Sequence, residues 1–272
     1  PTIGSMADLE AATLADVHEF YATHYGPNNT VLTLVGDVTP DEGFAAAERY
    51  FGPLPASATP RVDGLIPPLP SLPAPVRFER HEQVPNDRIY VGLRLPADAT
   101  DDFHACAVAL DVLGGLSSSR LVERLVRAEQ AATGLSAHPM GLSGGVSLGL
   151  ISADVAAGFE PEAIEAAICA ELERFAVEGP TAEELEATLA ETERAWLSAL
   201  AAQDERADHI SHYAALHDDP GYVNTFLDRI AALTAEEVRR AAATWLRPQA
   251  RAVVIYRVAA PADSAPTTEP TP

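Results

Sequence analysis

Apolar residues recur at two different spacings along the chain, and these spacings predict where helices and strands lie. The stretch TLADVHEFYATHY, which begins at Thr13, carries apolar residues at helical spacing after a residue type that caps helices. Gly26 and Pro27 end this helix. The β-branched and apolar run Val31–Val35 then predicts a buried strand.

Further along, strands and helices follow in an irregular order. Residues 88–95 alternate strictly through Ile89, Val91 and Leu93, which is typical of a half-buried strand. The pattern predicts further strands at 76–82, 135–140, 146–155 and 252–256, and helices at 41–50, 102–113, 118–130, 161–177, 181–203, 208–216, 222–231 and from 234. This order predicts an α+β fold in which helices pack on one face of a mostly antiparallel sheet.

The opening helix and strand recur near the end of the chain. The stretch TAEEVRRAAATWLRPQARAVVIYRV, which begins at Thr234, aligns with the stretch from Thr13 at a constant offset of 234 − 13 = 221 residues. Five identities share this offset: Thr13/Thr234, Val17/Val238, Ala22/Ala243, Thr23/Thr244 and Pro27/Pro248. An internal duplication explains them, with residues 1–55 as the end of a first unit and residues 76–258 as a second unit. On this interpretation the rest of the first unit precedes Pro1.

Two segments have the composition of connecting or unstructured chain. Residues 56–75 contain the stretch LIPPLPSLPAP, whose prolines predict an extended, semi-rigid linker, with a Pro-rich docking ligand as the alternative. Residues 259–272, AAPADSAPTTEPTP after the final strand, predict a disordered tail.

Charge narrows the range of partners. The 272 residues carry a net charge of −22 and are 47% hydrophobic, which indicates a globular protein with a large core. Nucleic acid and anionic membrane are therefore excluded as expected partners, whereas basic peptides are compatible with this charge. Cys106 and Cys169 lie in apolar helical patterns and are predicted to be free thiols. The sequence leaves the compartment open, with the cytoplasm favoured.

Three stretches carry residues that could perform chemistry. His209 and His212, at a spacing of three in DERADHISHYAALH, could present two imidazoles to a metal, although solvated or core-edge histidines are the more common case. Ser143 in GLSGG has the spacing of a nucleophile elbow, but the alternating strand after it favours a hairpin turn. The stretch LGGLSSSRL could hold an anion, or Ser117 or Ser118 could simply cap the next helix.

Two longer stretches resemble a known family. HEFYATHYGPNNTVLTLVGDVTPDEGFAAAERYFGPLP is similar to the close of a peptidase unit in the insulinase and pitrilysin family of zinc metallopeptidases, and LGGLSSSRLVERLVRAEQAATGLSAHP is similar to the middle of that family's second unit. The resemblance implies a duplicated architecture like that of the mitochondrial processing peptidase, in which two α+β units enclose a peptide-binding chamber. It also implies zinc held by an inverted His-x-x-Glu-His motif in the first unit, with the glutamate as general base.

The zinc motif is missing from this sequence. None of the eight histidines begins a His-x-x-Glu-His or a His-Glu-x-x-His motif. The sequence therefore predicts no catalytic residue, no metal ligand other than the alternative pair His209 and His212, and no cofactor in this segment. The resemblance places zinc in the missing upstream unit if the parent protein is active. It implies a peptide substrate and, as partner, that N-terminal unit or a homologous catalytic subunit.

The family also implies substrate contacts in the second unit, and here the chain departs from the pattern. Active relatives carry an Arg and, seven residues later, a Tyr at the places that Val126 and Thr133 occupy. Arg120 and Arg127 are the predicted substrate-facing charges instead. The chain is accordingly predicted to be the non-catalytic, chamber-closing and peptide-binding part of a zinc peptidase. One alternative is a structural subunit that resembles the core proteins of respiratory complexes, and another is an unrelated α+β binding protein.

Overall fold

The computed structural model describes residues 4–57, 72–142 and 145–259. These residues form two compact bodies. Lobe 1 comprises the described residues of Pro1–Pro67 and Thr192–Asp228, and lobe 2 those of Pro68–Glu191 and Arg229–Pro272. Most of the predicted linker and of the predicted tail lies outside the described residues, so the domain boundaries stay a prediction.

The described residues contain helices in both lobes and strands in lobe 2. The helices are α1 Met6–Ala11, α2 Leu14–His24, α3 Pro40–Phe51, α4 Asp101–Leu110, α5 Pro161–Glu178, α6 Ala182–Ala201, α7 Gln203–His217, α8 Tyr222–Ala231 and α9 Ala235–Trp245. The strands are β1 Val76–Glu82, β2 Arg88–Leu95, β3 Ala132–Met140, β4 Ser147–Val155 and β5 Arg251–Val258. None of the described helices is long and apolar enough to cross a membrane.

Lobe 2 is built on one sheet with its helices on one face. The strand order is β1-β5-β2-β4-β3, and every neighbouring pair is antiparallel except β1 and β5. Helices α4, α5 and α9 pack against the sheet, and α9 also packs against α4 and α5. The buried sheet face carries Ile89, Val91, Leu93, Ile151, Val253 and Ile255. The predicted α+β class, with a mostly antiparallel sheet covered on one face, is confirmed.

The two copies of the repeat share their local structure up to the strand. Helices α2 and α9 each have 11 residues, and each begins after a threonine that forms a capping box with the acidic residue three positions on. A short 3₁₀ turn follows each helix, at Pro27–Asn29 and at Pro248–Ala250. The offset of 221 residues relates both the helices and the turns.

The predicted strand Val31–Val35 is wrong for this structure. These residues are extended but belong to no strand among the described residues. At the same offset their counterparts lie in β5, which is hydrogen-bonded to β1 on one side and to β2 on the other. Because a strand exists only through such pairing, the absence of neighbouring strands in the described part of lobe 1 explains the difference.

Two predicted helices contain π-helical turns. Helix α4 continues as a π turn over Asp111–Gly115, and the helix predicted at 118–130 is a π-helical segment over Val122–Ala128. A Cβ on Gly114 would lie 2.8 Å from the Leu135 side chain, so glycine allows the first turn to approach β3 closely. The Ser119 hydroxyl, and not that of Ser117 or Ser118, closes the loop by accepting from Leu116 N–H and donating to the Asp111 carbonyl.

The Asp111 side chain is the titratable group most affected by this packing. Burial, with a smaller effect from the charge of Glu191, raises the pKa of the Asp111 carboxyl to about 6. A Cβ on Gly115 would overlap the Asp111 carboxylate, so the glycine pair 114–115 also makes room for this side chain. The glycines in LGGLSSSRL therefore serve close packing.

Candidate functional site

The sheet face opposite the helices of lobe 2 carries a row of polar and aromatic side chains. Successive residues of a strand point to opposite faces, so the partners of the buried positions lie on this second face. At its polar end Arg80, Tyr256, Arg88 and Asp154 stand side by side on β1, β5, β2 and β4. Tyr90 lies two residues further along β2 on the same face.

A cleft of about 400 Å³ opens at this end of the sheet. Its walls come from β2, β4, β5, the start of β3 and the turn before β2. The lining residues are Val84, Pro85, Asn86, Arg88, Tyr90, Thr133, Asp154 and Tyr256.

An ion pair and two aromatic rings fix the geometry of the cleft. Arg88 donates from Nε to Asp154 Oδ1 at 2.5 Å and from Nη2 to Asp154 Oδ2 at 2.8 Å. The same guanidinium donates to the Tyr90 hydroxyl at 3.1 Å. The Tyr90 and Tyr256 rings meet edge to face, with centroids 6.0 Å apart and planes at 82°. The hydrogen bonds to Asp154 raise the pKa of Arg88 above its usual range, so this side chain is a fixed cation.

This arrangement is suited to binding. Among the lining residues there is no histidine or cysteine, and the one carboxylate already accepts both arms of an arginine. The aromatic walls offer apolar contact, while Asn86 and Thr133 offer exposed hydrogen-bonding groups. The cleft can therefore hold a ligand, but it lacks the groups for metal-dependent or nucleophilic chemistry.

Arg120, predicted to face substrate, lies in a buried ion-pair network. Its guanidinium donates to Glu184 at 2.7 Å, to Glu171 at 3.3 Å and to the Gly179 carbonyl at 2.9 Å. It also covers the Phe175 ring at 5.0 Å from the centroid. Only 12% of the side chain is exposed, so Arg120 is placed to stabilise the fold and is poorly placed to meet a substrate.

Arg127 is exposed and pairs with Glu123 one helical turn earlier. Its role as a substrate-facing charge stays a prediction. Of the two positions that depart from the family pattern, Val126 packs against the core, whereas Thr133 lies at the rim of the cleft beside Arg88 and Tyr90. Sequence reasoning missed this cleft because its residues come from the turn before β2 and from four strands, which only the pairing of the sheet brings together.

The predicted metal pair has aromatic surroundings in lobe 1. The His209 ring lies 4.6 Å from the Trp196 ring, whereas His212 lies 5.1 Å from Tyr213 and 5.7 Å from His217, measured between centroids. Each ring of the pair thus packs against different neighbours, which favours a packing role. A metal site at His209 and His212 stays an alternative prediction.

The remaining candidate groups are one serine and two thiols. Ser143 lies outside the described residues. Cys106 and Cys169 are both free, as predicted from the sequence. Burial raises the pKa of the Cys106 thiol to about 12 and also raises that of Cys169, so both remain protonated and poorly nucleophilic near neutral pH.

Apolar residues of the repeat are exposed in lobe 1, whereas their counterparts in lobe 2 are buried. Val17 is 59% exposed and its counterpart Val238 0%, and Leu34 is 50% exposed against 0% for Ile255. We call this exposed set the open repeat surface; it also includes Phe20, Tyr21, Tyr25 and Leu32, whose counterparts Ala241, Ala242, Leu246 and Val253 are buried. A groove of about 430 Å³ between residues 32–38 and α3 continues it. In lobe 2 the equivalent surface is covered by α4, α5, β1 and β2.

A family model now identifies the chain. Residues 11–191 match the model described as the peptidase M16 inactive domain. The chain belongs to the M16 peptidase family. The resemblance to insulinase-like and pitrilysin-like zinc peptidases is thereby confirmed, as is the assignment to a non-catalytic domain of zinc-protease-like proteins.

Individual proteins that resemble the chain are proteases. The zinc protease PqqE of Helicobacter pylori is 26% identical over 239 residues, which cover 83% of this chain and 52% of PqqE. A crystal structure of a protease from Helicobacter pylori matches with a TM-score of 0.82 at 22% identity, over 94% of this chain and 61% of that one. The chain thus spans about half the length of PqqE.

A second structural match is to a chain of a protein complex. A chain of complex III2 from Candida albicans matches with a TM-score of 0.79 at 17% identity, over 94% of this chain and 62% of that one. At these identities the two structural matches establish the M16 fold alone.

Proposed function

We propose that this M16 chain is the chamber-closing, peptide-binding half of a zinc peptidase, and that zinc and the general base belong to a partner unit. The observation that carries this proposal is the open repeat surface of lobe 1. Apolar surface of this kind is normally covered in a soluble protein. In lobe 2 the equivalent surface is covered by helices and strands of the same unit, and a similar unit could cover the surface of lobe 1.

The chemistry of the chain supports placing the zinc in the partner. A zinc peptidase needs ligands that hold the ion and a carboxylate that takes a proton from the bound water. The residues of this chain do not fit that requirement, because none of its eight histidines belongs to a His-x-x-Glu-His or a His-Glu-x-x-His motif.

The open repeat surface indicates what the partner must supply. In lobe 2, β5 lies between a parallel and an antiparallel strand, and α9 packs on α4 and α5. A partner that completes lobe 1 in the same way would pair both edges of residues 30–37 and cover α2. That partner is a zinc-bearing unit of the same α+β type, either the N-terminal unit of the same protein or a homologous subunit.

This half contributes to turnover by positioning the peptide substrate. Holding a peptide in a productive orientation can supply several kcal/mol of a reaction barrier without a chemical group from the holder. We therefore expect the chain to raise turnover by a zinc-bearing unit while remaining inactive by itself.

Reconstitution tests this function. The chain is mixed with a separately expressed unit that carries the His-x-x-Glu-His motif, and hydrolysis of a quenched fluorescent peptide is measured. We expect activity in the mixture that neither component has alone, together with a stable complex on size-exclusion chromatography. Equal hydrolysis by the zinc-bearing unit with and without the chain would refute the chamber-closing role.

One observation favours a second candidate, a structural subunit of a larger complex. The fold likeness to a chain of complex III2 is nearly as high as that to the Helicobacter pylori protease. The same experiment separates the two candidates, since a purely structural role gives a stable complex without peptide hydrolysis.

A further inference from the structure

We propose that the cleft formed by Arg88, Tyr90, Asp154 and Tyr256 is a subsite for a neutral aromatic side chain of an extended peptide. This inference rests on the proposed peptide-binding function and gives it a place and a specificity. It concerns residues of lobe 2 alone.

The aromatic walls determine the shape that fits. Tyr90 and Tyr256 meet at 82° with centroids 6.0 Å apart, so they form a corner against which a third ring can pack. Arg88 holds the Tyr90 hydroxyl at 3.1 Å and thereby fixes the ring before any ligand arrives. A rigid aromatic wall loses little conformational entropy on binding, which favours affinity.

The paired charges select a neutral ligand. Arg88 and Asp154 already satisfy one another through two hydrogen bonds. A carboxylate or an ammonium group from a peptide would meet one attractive and one repulsive charge, so the ion pair offers it little net attraction to offset the hydration that it loses in the cleft. A neutral side chain leaves the ion pair intact, so the cleft discriminates against both charge types.

The rim fits the backbone on either side of that side chain. Asn86 and Thr133 are exposed at the mouth of the cleft. The Asn86 amide can bond to peptide N–H and C=O groups, and the Thr133 hydroxyl, which donates to the Asp154 carbonyl at 3.5 Å, can accept from a peptide N–H. The volume of about 400 Å³ lies within the usual range of small-ligand sites. The occupant is therefore an extended peptide segment with a phenylalanine-like residue at its centre.

Binding of matched peptides to the 272-residue chain tests the subsite. The probes are acetyl-Gly-Phe-Gly-amide and its Lys-centred and Glu-centred equivalents, followed by amide chemical shifts in NMR titrations. We expect the Phe peptide to shift residues 88–90, 133, 154 and 256 and to bind about tenfold more tightly than the other two, as expected for an aromatic anchor. Equal affinity for the three peptides, or shifts confined to other residues, would overturn the proposal.

Variants localise the effect. The double change Tyr90→Ala with Tyr256→Ala is expected to weaken the Phe peptide about tenfold. Phe78→Ala is the matched control, because Phe78 is exposed on the same sheet face but does not line the cleft; it should leave the affinity unchanged. If the double variant fails to fold, Thr133→Trp fills the cleft from its exposed rim and should weaken the Phe peptide to a similar extent. A Thr133→Trp chain that binds normally would overturn the subsite.

Failure of the subsite and failure of the proposed function give different results. If the cleft does not select the Phe peptide but the chain still restores hydrolysis to a zinc-bearing unit, the subsite alone is refuted. If the cleft binds the Phe peptide but the chain restores no hydrolysis, the chamber-closing function is refuted.

Discussion

At the scale of single residues, burial decides what a charged side chain does. Arg120 and Arg127 both lie in a helical pattern with acidic residues nearby, and the sequence does not distinguish them. The structure places Arg120 between Glu171 and Glu184 and leaves Arg127 exposed. This difference depends on where α5 and α6 pack, and no local pattern around the arginines encodes that packing.

Replacing each arginine by methionine measures the difference. Arg120→Met leaves Glu171, which is 3% exposed, with Arg174 as its remaining ion-pair partner. We expect a loss of about 3 kcal/mol in the free energy of unfolding, as for other broken buried pairs. Arg127→Met is the control and should cost about 0.5 kcal/mol or less. Urea unfolding followed by circular dichroism checks both, and similar losses would contradict the burial argument.

Asp111 gives the chain a pH-dependent contribution to stability. The pKa of an aspartate is ordinarily about 4, and burial raises that of Asp111 to about 6. The folded state therefore retains the proton between these values while the unfolded chain releases it. Stability falls as the pH rises through this window, and the loss is complete above the folded-state pKa.

Asp111→Asn keeps the shape of the protonated acid without its charge. We expect the variant to be more stable than the wild type by about 1–3 kcal/mol at pH 7 and equally stable at pH 4. Thermal unfolding at a series of pH values measures this difference. A difference that does not change with pH would rule out Asp111 as its source.

At the scale of elements, the sequence predicted most helices and strands because hydrophobic spacing and capping residues are local signals. The capping boxes at Thr13 and Thr234 and the alternation in β2 were readable directly. The predicted strand at Val31–Val35 is wrong because a strand depends on pairing partners outside its own residues, which are not a local signal. The aromatic cleft could not be predicted from the sequence either, because it arises from the register of separate strands.

The duplicated helix allows a matched test of the open repeat surface. Val17→Asp and Val238→Asp are the same change at equivalent positions of α2 and α9. Val238 is fully buried, so its replacement should cost about 4 kcal/mol or more, whereas Val17→Asp should change the stability of the chain by about 0.5 kcal/mol or less. Unfolding of both variants checks this contrast.

The Val17→Asp variant also tests complex formation with the zinc-bearing unit. Val17→Asp places a charge on the open repeat surface and should abolish complex formation with the zinc-bearing unit. A Val17→Asp chain that associates as well as the wild type would place the partner elsewhere.

At the scale of the whole molecule, the chain has the M16 fold without the zinc motif. We expect the purified and dialysed chain to contain no stoichiometric zinc and to leave a quenched fluorescent peptide intact. Atomic absorption and the peptide assay measure these two properties. One tightly bound zinc that disappears in a His209→Ala, His212→Ala double variant would instead establish the alternative metal site.

The position of β5 has a consequence for synthesis of the chain. Val76 pairs with Ala252, so β1 meets its sheet neighbour only when nearly all of lobe 2 has been translated. Until then β1 and β2 have no strand between them, and their unpaired edges are available to wrong partners. Such long-range pairing also makes folding slow. A nascent chain stopped before Arg251 would lack an inner strand of the sheet, and β1 would have no described strand to join.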